Sequence, residues 1–449
     1  MALIFFLFLV KIQTQDLKKR RRFSKMDNHI YLCIDLKNFY ASCECAMRNL
    51  DPFETNLVVA DPSRGKGAIC LAISPKLKAM GIRNRCRLFE IPDGIEYITA
   101  MPQMKKYMEF SSKIYSIYLR YIAKEDIYPY SIDEMFLDVT TYLSLYKTTP
   151  EKLAKALMNK IRSELGLPSA CGIGTNLFLA KVALDITAKH TKDNIGYLDE
   201  EKFRKELWDH HPLTDFWQIA GGISRRLNNM GIYTMKDIVM ADSERLYKEF
   251  GVNAEILIDH ANGIEPVTIK DIKNYKRKSQ SISQSQILFS DYEFDKARLI
   301  LKEMVEVLSL QLVEKQLVSS NISLTIRYSK DTIKPTGGSM QLTICTNVYT
   351  KLLPYFLELF DKTTSKDALI RGIGISFNKV VLEDNEYYDL FTDPNEVIKE
   401  RKLEQTINSL KTKFGKNSII KAMNLDEGAT TIKRNKLIGG HNAETEDAD

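Results

Sequence analysis

Apolar and polar positions along the chain fall into blocks of different period, and these blocks predict its elements. Residues 29–36 form an apolar run with one acid, Asp35, near its end, and predict a strand. Small residues follow at 38–44, the expected start of a helix. Runs at 57–60 and 68–74 predict two more strands, and 75–81 a short helix opened by proline and closed by glycine. From 103 to 123 the period becomes helical, with Tyr107, Phe110, Ile114, Ile117 and Tyr121 on one face. Residues 131–138 predict a strand again. Thr149 and Pro150 mark the start of a helix whose stripe is Leu153, Leu157, Ile161 and Leu165. A short strand at 169–175 and a helix at 176–189 carrying Lys181 follow. This order suits a ferredoxin-like layer in which the strands of Asp35 and Asp133 are neighbours and 36–101 is an insert.

The second half opens with a helical segment, 193–265. Within it, residues 217–232 have the outline of a helix-hairpin-helix, in which a glycine-rich turn (Gly221, Gly222) offers backbone N–H groups to DNA phosphate. Ordinary helix packing accounts for the same pattern. A basic stretch with Lys276, Arg277 and Lys278 reads as a linker. Strands at 282–289, 320–328, 339–346 and 368–380, with helices at 293–314 and 352–360, then spell a βαββαβ domain. Its outward face, rich in Ser and Thr with Arg327, suits a phosphate backbone or plain solvation. Beyond residue 383 the chain reads as a tail, with a helix over 395–422 and a disordered last dozen residues.

At 449 residues the chain is too long for one core and implies two to four domains. Its 44% hydrophobic and 27% charged fractions are those of an ordinary soluble protein, and a net charge of +6 permits a polyanionic partner. Seven cysteines without C-x-x-C pairs and only six histidines leave no zinc clip and point to a reduced, cytoplasmic setting. The apolar residues 2–10 are too few to span a bilayer, and the basic cluster 18–22 follows them where a signal peptide would precede. The first 25 residues are expected to be a disordered leader, with Met26 as the natural start, or else a weak membrane anchor; no stable membrane association is expected.

Charge changes the picture most at 131–138. Two adjacent acids, Asp133 and Glu134, stand in an apolar run that contains no Lys or Arg. Buried carboxylates need compensation, and with Asp35 on a neighbouring strand an oxygen-only site for Mg²⁺ or Mn²⁺ would supply it. A surface Asp-Glu turn is the plainer alternative.

Three motifs occur in order: residues 34–44 (Ile-Asp-Leu-Lys-Asn-Phe-Tyr-Ala-Ser-Cys-Glu), 131–138 (Ser-Ile-Asp-Glu-Met-Phe-Leu-Asp) and 172–181 (Gly-Ile-Gly-Thr-Asn-Leu-Phe-Leu-Ala-Lys). Followed by a hairpin unit and a βαββαβ domain, they resemble the Y-family, lesion-bypass DNA polymerases, and within them the bacterial UmuC-like branch. The resemblance implies an α+β, right-hand polymerase: a palm at 26–35 and 102–192, fingers at 36–101, a helical thumb at 193–266, a linker at 267–280, a little finger at 281–382 and a tail. It implies template-directed, low-fidelity synthesis past damaged DNA, with two Mg²⁺ ions (or Mn²⁺) held by Asp35, the Leu36 carbonyl, Asp133 and Glu134. Phe39 and Tyr40 match nucleotide-binding positions, Tyr40 as the steric gate under the sugar, and Lys78 and Lys181 match cations facing the triphosphate. Gly221, Gly222, Arg225, Arg226, Lys276, Arg277, Lys278 and Arg327 would meet primer-template DNA. Leu390 and Phe391 resemble the end of a sliding-clamp docking peptide, with Tyr387 where the leading Gln usually stands. Pro75 stands where many relatives place a phosphate-binding tyrosine, Asn38 where many have an aromatic residue, and the thumb turn Gln218-Ile219-Ala220 lacks its first glycine. Nucleotide cyclases share such a palm, but their Gly-Gly-Asp-Glu hairpin is absent.

Overall fold

The computed structural model describes residues 29–276, 280–329 and 333–444. These fall into two compact units, one ending at Tyr275 and rejoined by Ala443 and Glu444, the other running from Lys276 to Asn442. The predicted leader, and Arg277 and Lys278 of the basic linker, lie outside the described residues.

The first unit is built on a five-stranded sheet: β1 (Tyr31–Leu36), β5 (Ile127–Pro129), β6 (Glu134–Asp138), β7 (Ser169–Gly174) and β8 (Ile195–Leu198), in the order β5-β6-β1-β7-β8. β1 lies at the centre, antiparallel to both β6 and β7, which is the ferredoxin-like arrangement with β8 added in parallel beside β7. The long insert between β1 and β5 holds α1 (Phe39–Met47), α2 (Pro75–Ala79) and a small sheet of β2 (Leu57–Val59), β3 (Ala72–Ile73) and β4 (Ile98–Ala100). Ser74 caps α2 by accepting from the Leu77 N–H, and Pro75 occupies its first turn, as the sequence predicts. α3 (Met104–Tyr118) returns the chain to the main sheet, α4 (Thr140–Leu145) follows β6, and α5 (Pro150–Leu165) is capped by Thr149 and closed by Gly166 in the left-handed region at φ 70°.

α6 (Leu177–Val182) approaches β7 more closely than side chains would allow. A Cβ on Gly172 would lie 2.0 Å from the Ala180 carbonyl oxygen, and one on Gly174 2.1 Å from the Ala180 nitrogen. The glycines at 172 and 174 thus let helix backbone rest on strand backbone. Asn176 fixes the entry angle, its Oδ1 accepting from Leu179 N–H and its Nδ2 donating to the Gly263 carbonyl. The helix continues through a wide π turn at Ala183–Thr187, which carries Asp185. Helices α7 (Glu200–Leu207), α8 (Gly221–Asn229), α9 (Met235–Met240), α10 (Ser243–Phe250), α11 (Asn253–Ala261) and α12 (Ile269–Asn274) form the predicted helical segment. Their apolar faces share one core with β1, β6 and α6, through Phe178, Phe203, Phe216, Trp217 and Leu227.

The second unit is the βαββαβ domain: β9 (Gln280–Tyr292), α13 (Phe294–Glu314), β10 (Leu317–Tyr328), β11 (Thr336–Thr346), α14 (Tyr349–Thr363) and β12 (Ile370–Leu382). Its strand order is β11-β10-β12-β9, antiparallel throughout, which differs from the first sheet. One face meets α13 and α14 through Ile322, Leu324, Ile326, Ile373 and Ile375; the other presents Ser323, Thr325, Arg327 and Ser339. The tail departs from expectation. α15 (Pro394–Phe414) ends at Gly415, and order continues through α16 (Thr431–Asn435) and a hairpin of β13 (Leu437–Ile438) and β14 (His441–Asn442). Buried acids hold it in place. Glu404 accepts from the Tyr349 N–H at the start of α14, and Glu303 on α13 accepts from Thr430 and Thr431 at the start of α16. Carboxylates at helix N-termini answer both the free N–H groups and the helix dipole.

Candidate active site

Asp35 stands directly opposite Glu134 across the β1–β6 pair. Like charges in that register are unfavourable unless something offsets them. Asp133 lies next to them, but not on a strand as predicted. β6 begins at Glu134, and residues 131–133 form a tight turn in which the Tyr130 and Ser131 N–H groups both donate to the Glu134 carbonyl. The Ser131 hydroxyl donates to Asp133 Oδ1 at 2.5 Å and fixes the acid at the turn. The β-ladder still reaches it, because Leu36 N–H donates to the Asp133 carbonyl at 3.0 Å.

Glu134 is buried at 7% exposure, and both its oxygens are engaged. Oε1 accepts from the Cys33 thiol and Oε2 from Lys181 Nζ, each at 3.0 Å. Lys181 also donates to Asp185 Oδ1 at 2.9 Å. The ammonium that the resemblance assigns to the triphosphate is thus paired with two acids. The close seat of α6 on Gly172 and Gly174 carries the ammonium beneath the acids, where it belongs to Glu134 and Asp185. Burial pushes the Asp35 carboxyl well above the usual carboxylate range, and the charges of Glu134 and Asp133 push it further. Burial also raises Glu134, against the pull of Lys181. Burial opposes the charge on Lys181, yet Glu134 and Asp185 hold its pKa above the ordinary value. Asp35 has no side-chain hydrogen bond among the described residues, and the charges of Lys181 and Lys37 reach it only through space.

That donor set of hard oxygens, poor in compensating charge, fits a divalent cation. Among the described residues no three His, Cys, Asp or Glu side chains form a ready cage, because Glu134 is turned to Lys181 and Cys33.

Phe39 is buried, whereas Tyr40 is half-buried at the start of α1. Burial raises the Tyr40 phenol pKa, Asp133 adds to the rise and Arg85 opposes it, so the ring lies between the acids and the insert. Lys78 is exposed on α2. Lys37, which the sequence reading passed over, has its pKa lowered by burial and by the nearby Lys78, while Asp35 acts in the opposite sense. Its ammonium donates to Asn194 Oδ1. Lys37 directly follows β1, two residues beyond Asp35. Arg85 was also missed; it is exposed in the left-handed region at φ 62°.

The candidate DNA-binding residues divide. Gly221 and Gly222 open α8 with free space where a Cβ would stand, and no side chain caps that helix. The turn before it is made by Gln218 at φ 68°, in place of the missing glycine. Arg225 is exposed, whereas Arg226 is folded back on α10, bonded to the Glu249 carbonyl and stacked 4.4 Å from the Phe250 ring centroid. Lys276 and Arg327 are exposed, each in the second unit, and Arg327 lies against Gly372 on β12. Leu390 and Phe391 are 99% and 95% exposed.

Comparison with known proteins decides the family. The profile of the impB/mucB/samB family matches residues 34–185, and that of its C-terminal domain residues 279–390. A Bacillus subtilis (strain 168) protein, UvrX, whose name ties it to UV-damage repair, is 33% identical over 93% of this chain and 99% of its own. The chain belongs to the impB/mucB/samB family, the UmuC-like Y-family DNA polymerases. A second B. subtilis protein, named DNA polymerase IV 2, is 30% identical over the same shares of the two chains. Among solved structures, a Y-family DNA polymerase chimera of Dbh and Dpo4 matches with a TM-score of 0.59 at 18% identity, covering 79% of this chain and 99% of that one. The fold of this Y-family polymerase is thus the α+β fold expected of it. Among its described residues no helix is long and apolar enough to cross a membrane.

Proposed function

We propose that this DNA-directed DNA polymerase extends a primer 3′-hydroxyl with dNTPs opposite damaged template, releasing pyrophosphate, at the acids of β1 and β6. The observation that carries the reading is Asp35 set opposite Glu134, with Asp133 in the adjoining turn and Tyr40 beside them. Asp35, Asp133, Glu134 and the Leu36 carbonyl would hold Mg²⁺, or Mn²⁺, which when bound supplies activation of the primer hydroxyl and neutralisation of triphosphate charge. Lys37 lies near Asp35 and Lys78 near Lys37, and the two ammonium groups would receive the triphosphate. Tyr40 sets a ring beneath the incoming sugar and excludes a 2′-hydroxyl, while Phe39 anchors it in the core. Lys181 holds Glu134 in position from below.

In this reading the palm is 26–35 with 102–192, the fingers 36–101, the thumb 193–266 and the little finger 281–382. The α8 N-terminus and the polar face of the second sheet meet primer-template phosphates. Leu390 and Phe391 dock on a sliding clamp, and the work is cytoplasmic. Primer extension by Asp133→Ala tests the site. Losing one acid should cost ~3 kcal/mol or more in the transition state, a rate loss on the order of a hundredfold, with DNA affinity retained. Near-normal extension would sink the assignment.

A further inference from the structure

Behind Tyr40 lies an assembly that the proposed chemistry leaves unused. Tyr107, from α3, packs its ring on Tyr40 at a centroid distance of 4.8 Å and an interplanar angle of 34°. Tyr107 is fully buried, and its hydroxyl donates to Glu44 Oε1 at 2.6 Å. Glu44 sits one helical turn beyond Tyr40 on α1 and is also fully buried. Its carboxylate accepts further from Arg48 and, at 3.3 Å, from Gln103 Nε2.

Packing alone does not call for this arrangement. Apolar residues at 44 and 107 would fill the same space without dehydrating a carboxylate, which is costly unless the acid is well bonded. What the bonds add is a single allowed pose for the Tyr107 ring. Burial, and then the Glu44 charge, keeps the phenol protonated and donating well beyond neutral pH. On its other side Tyr40 meets Phe39 at 5.6 Å and 47°, and Phe39 is itself buried. The Tyr40 ring therefore has a fixed wall behind it and another beside it. A steric gate discriminates only if it cannot retreat when a larger sugar arrives.

We propose that Glu44 and Tyr107 form a positioning latch that sets deoxyribose-over-ribose selectivity by holding Tyr40 in place. The inference rests on Tyr40 being the gate. Neither residue touches the nucleotide; both act through the Tyr40 ring.

Steady-state insertion of dCTP and rCTP opposite template G tests this in the parent, Tyr107→Phe, Glu44→Gln, Tyr40→Ala and the Tyr40→Ala/Tyr107→Phe double variant. Tyr107→Phe keeps the ring and its volume, so it remains informative if Glu44→Gln fails to fold. The rCTP:dCTP efficiency ratio should rise about threefold to tenfold in Tyr107→Phe, a fraction of the effect of one lost hydrogen bond to a charged group, because the bond acts on the sugar only through the Tyr40 ring. In the Tyr40→Ala background the same change should add less than about twofold, because coupled residues share one effect. An unchanged ratio in folded Tyr107→Phe, with a raised ratio in Tyr40→Ala, overturns the latch and leaves the gate standing. Equal losses for both nucleotides, or full additivity in the double variant, also overturn it. An unchanged ratio in Tyr40→Ala removes the gate and the latch together.

Discussion

Asp35 and Lys181 carry opposite burdens at the same site. Asp35 faces Glu134 across the strand pair with Asp133 nearby, and no cationic side chain bonds it among the described residues. Lys181 is the partner that lets Glu134 be buried, with side-chain exposures of 11% and 9% for the pair. Their substitutions should therefore move stability in opposite directions in protein stripped of divalent cations with EDTA. Asp35→Asn removes a repulsion and should stabilise by on the order of 1 kcal/mol. Lys181→Met leaves a buried carboxylate without its cation and should destabilise by about 3–5 kcal/mol. Both should lose primer extension, the first by removing a site acid and the second by releasing Glu134. Urea unfolding of the two variants and the parent separates these effects. A destabilised Asp35→Asn would mean that the acids are not in conflict, and the site would lose its reason to attract a cation.

At the level of elements, the tail owes its order to acids at helix starts, and one of them is sensitive to pH. Burial pushes the pKa of Glu404 up to about 7, the Tyr349 N–H pulling down and Glu400 pushing up, against an unfolded value of ~4.3. The folded state thus binds this proton more tightly than the unfolded state. Stability from the group is present at acid pH and is lost as pH rises from the unfolded value through about 7. Glu404→Gln should stabilise the second unit at pH 8 and leave it nearly unchanged at pH 5, read as thermal unfolding at the two pH values. An equal shift at both would show that titration of Glu404 does not matter to the docking of α15. None of this was legible in the sequence, where α15 and the segment after it carried only a weak apolar stripe. The βαββαβ order and the pairing of the strand of Asp35 with that of Glu134 were legible, because long runs of fixed period override local detail. The turn at 131–133 was legible only as the alternative to a strand, since its apolar surroundings read as strand while Ser131 and Asp133 bond to each other instead. The glycines at 172 and 174 were visible as a motif, but their use depends on how near α6 comes, which no periodicity encodes. The pairing of Lys181 with Glu134 and Asp185 was hidden for the same reason.

On the scale of the whole molecule, Leu390 and Phe391 are the most exposed large apolar side chains among the described residues. They are 99% and 95% exposed, and the segment bearing them is not slack. Before it, Cys345 N–H donates to the Tyr387 carbonyl at 3.0 Å, tying the chain to the end of β11. After it, Asp389 Oδ1 accepts from the Phe391 N–H at 3.1 Å and the Thr392 hydroxyl at 2.7 Å, and α15 begins at Pro394. A turn held at both ends offers its two anchors with little conformational entropy left to lose, which favours docking into a preformed pocket. Each anchor, buried by a partner, would contribute ~1–3 kcal/mol. Replacing both with alanine should therefore weaken a clamp contact by on the order of a hundredfold or more. Distributive synthesis on a short primer should not change, because neither residue belongs to the unit that carries the acids of β1 and β6. Primer extension with and without a loaded sliding clamp, by the parent and the Leu390→Ala/Phe391→Ala variant, distinguishes the cases. Lost stimulation with intact basal synthesis assigns the turn to the clamp; equal stimulation of the two proteins excludes it as the docking peptide.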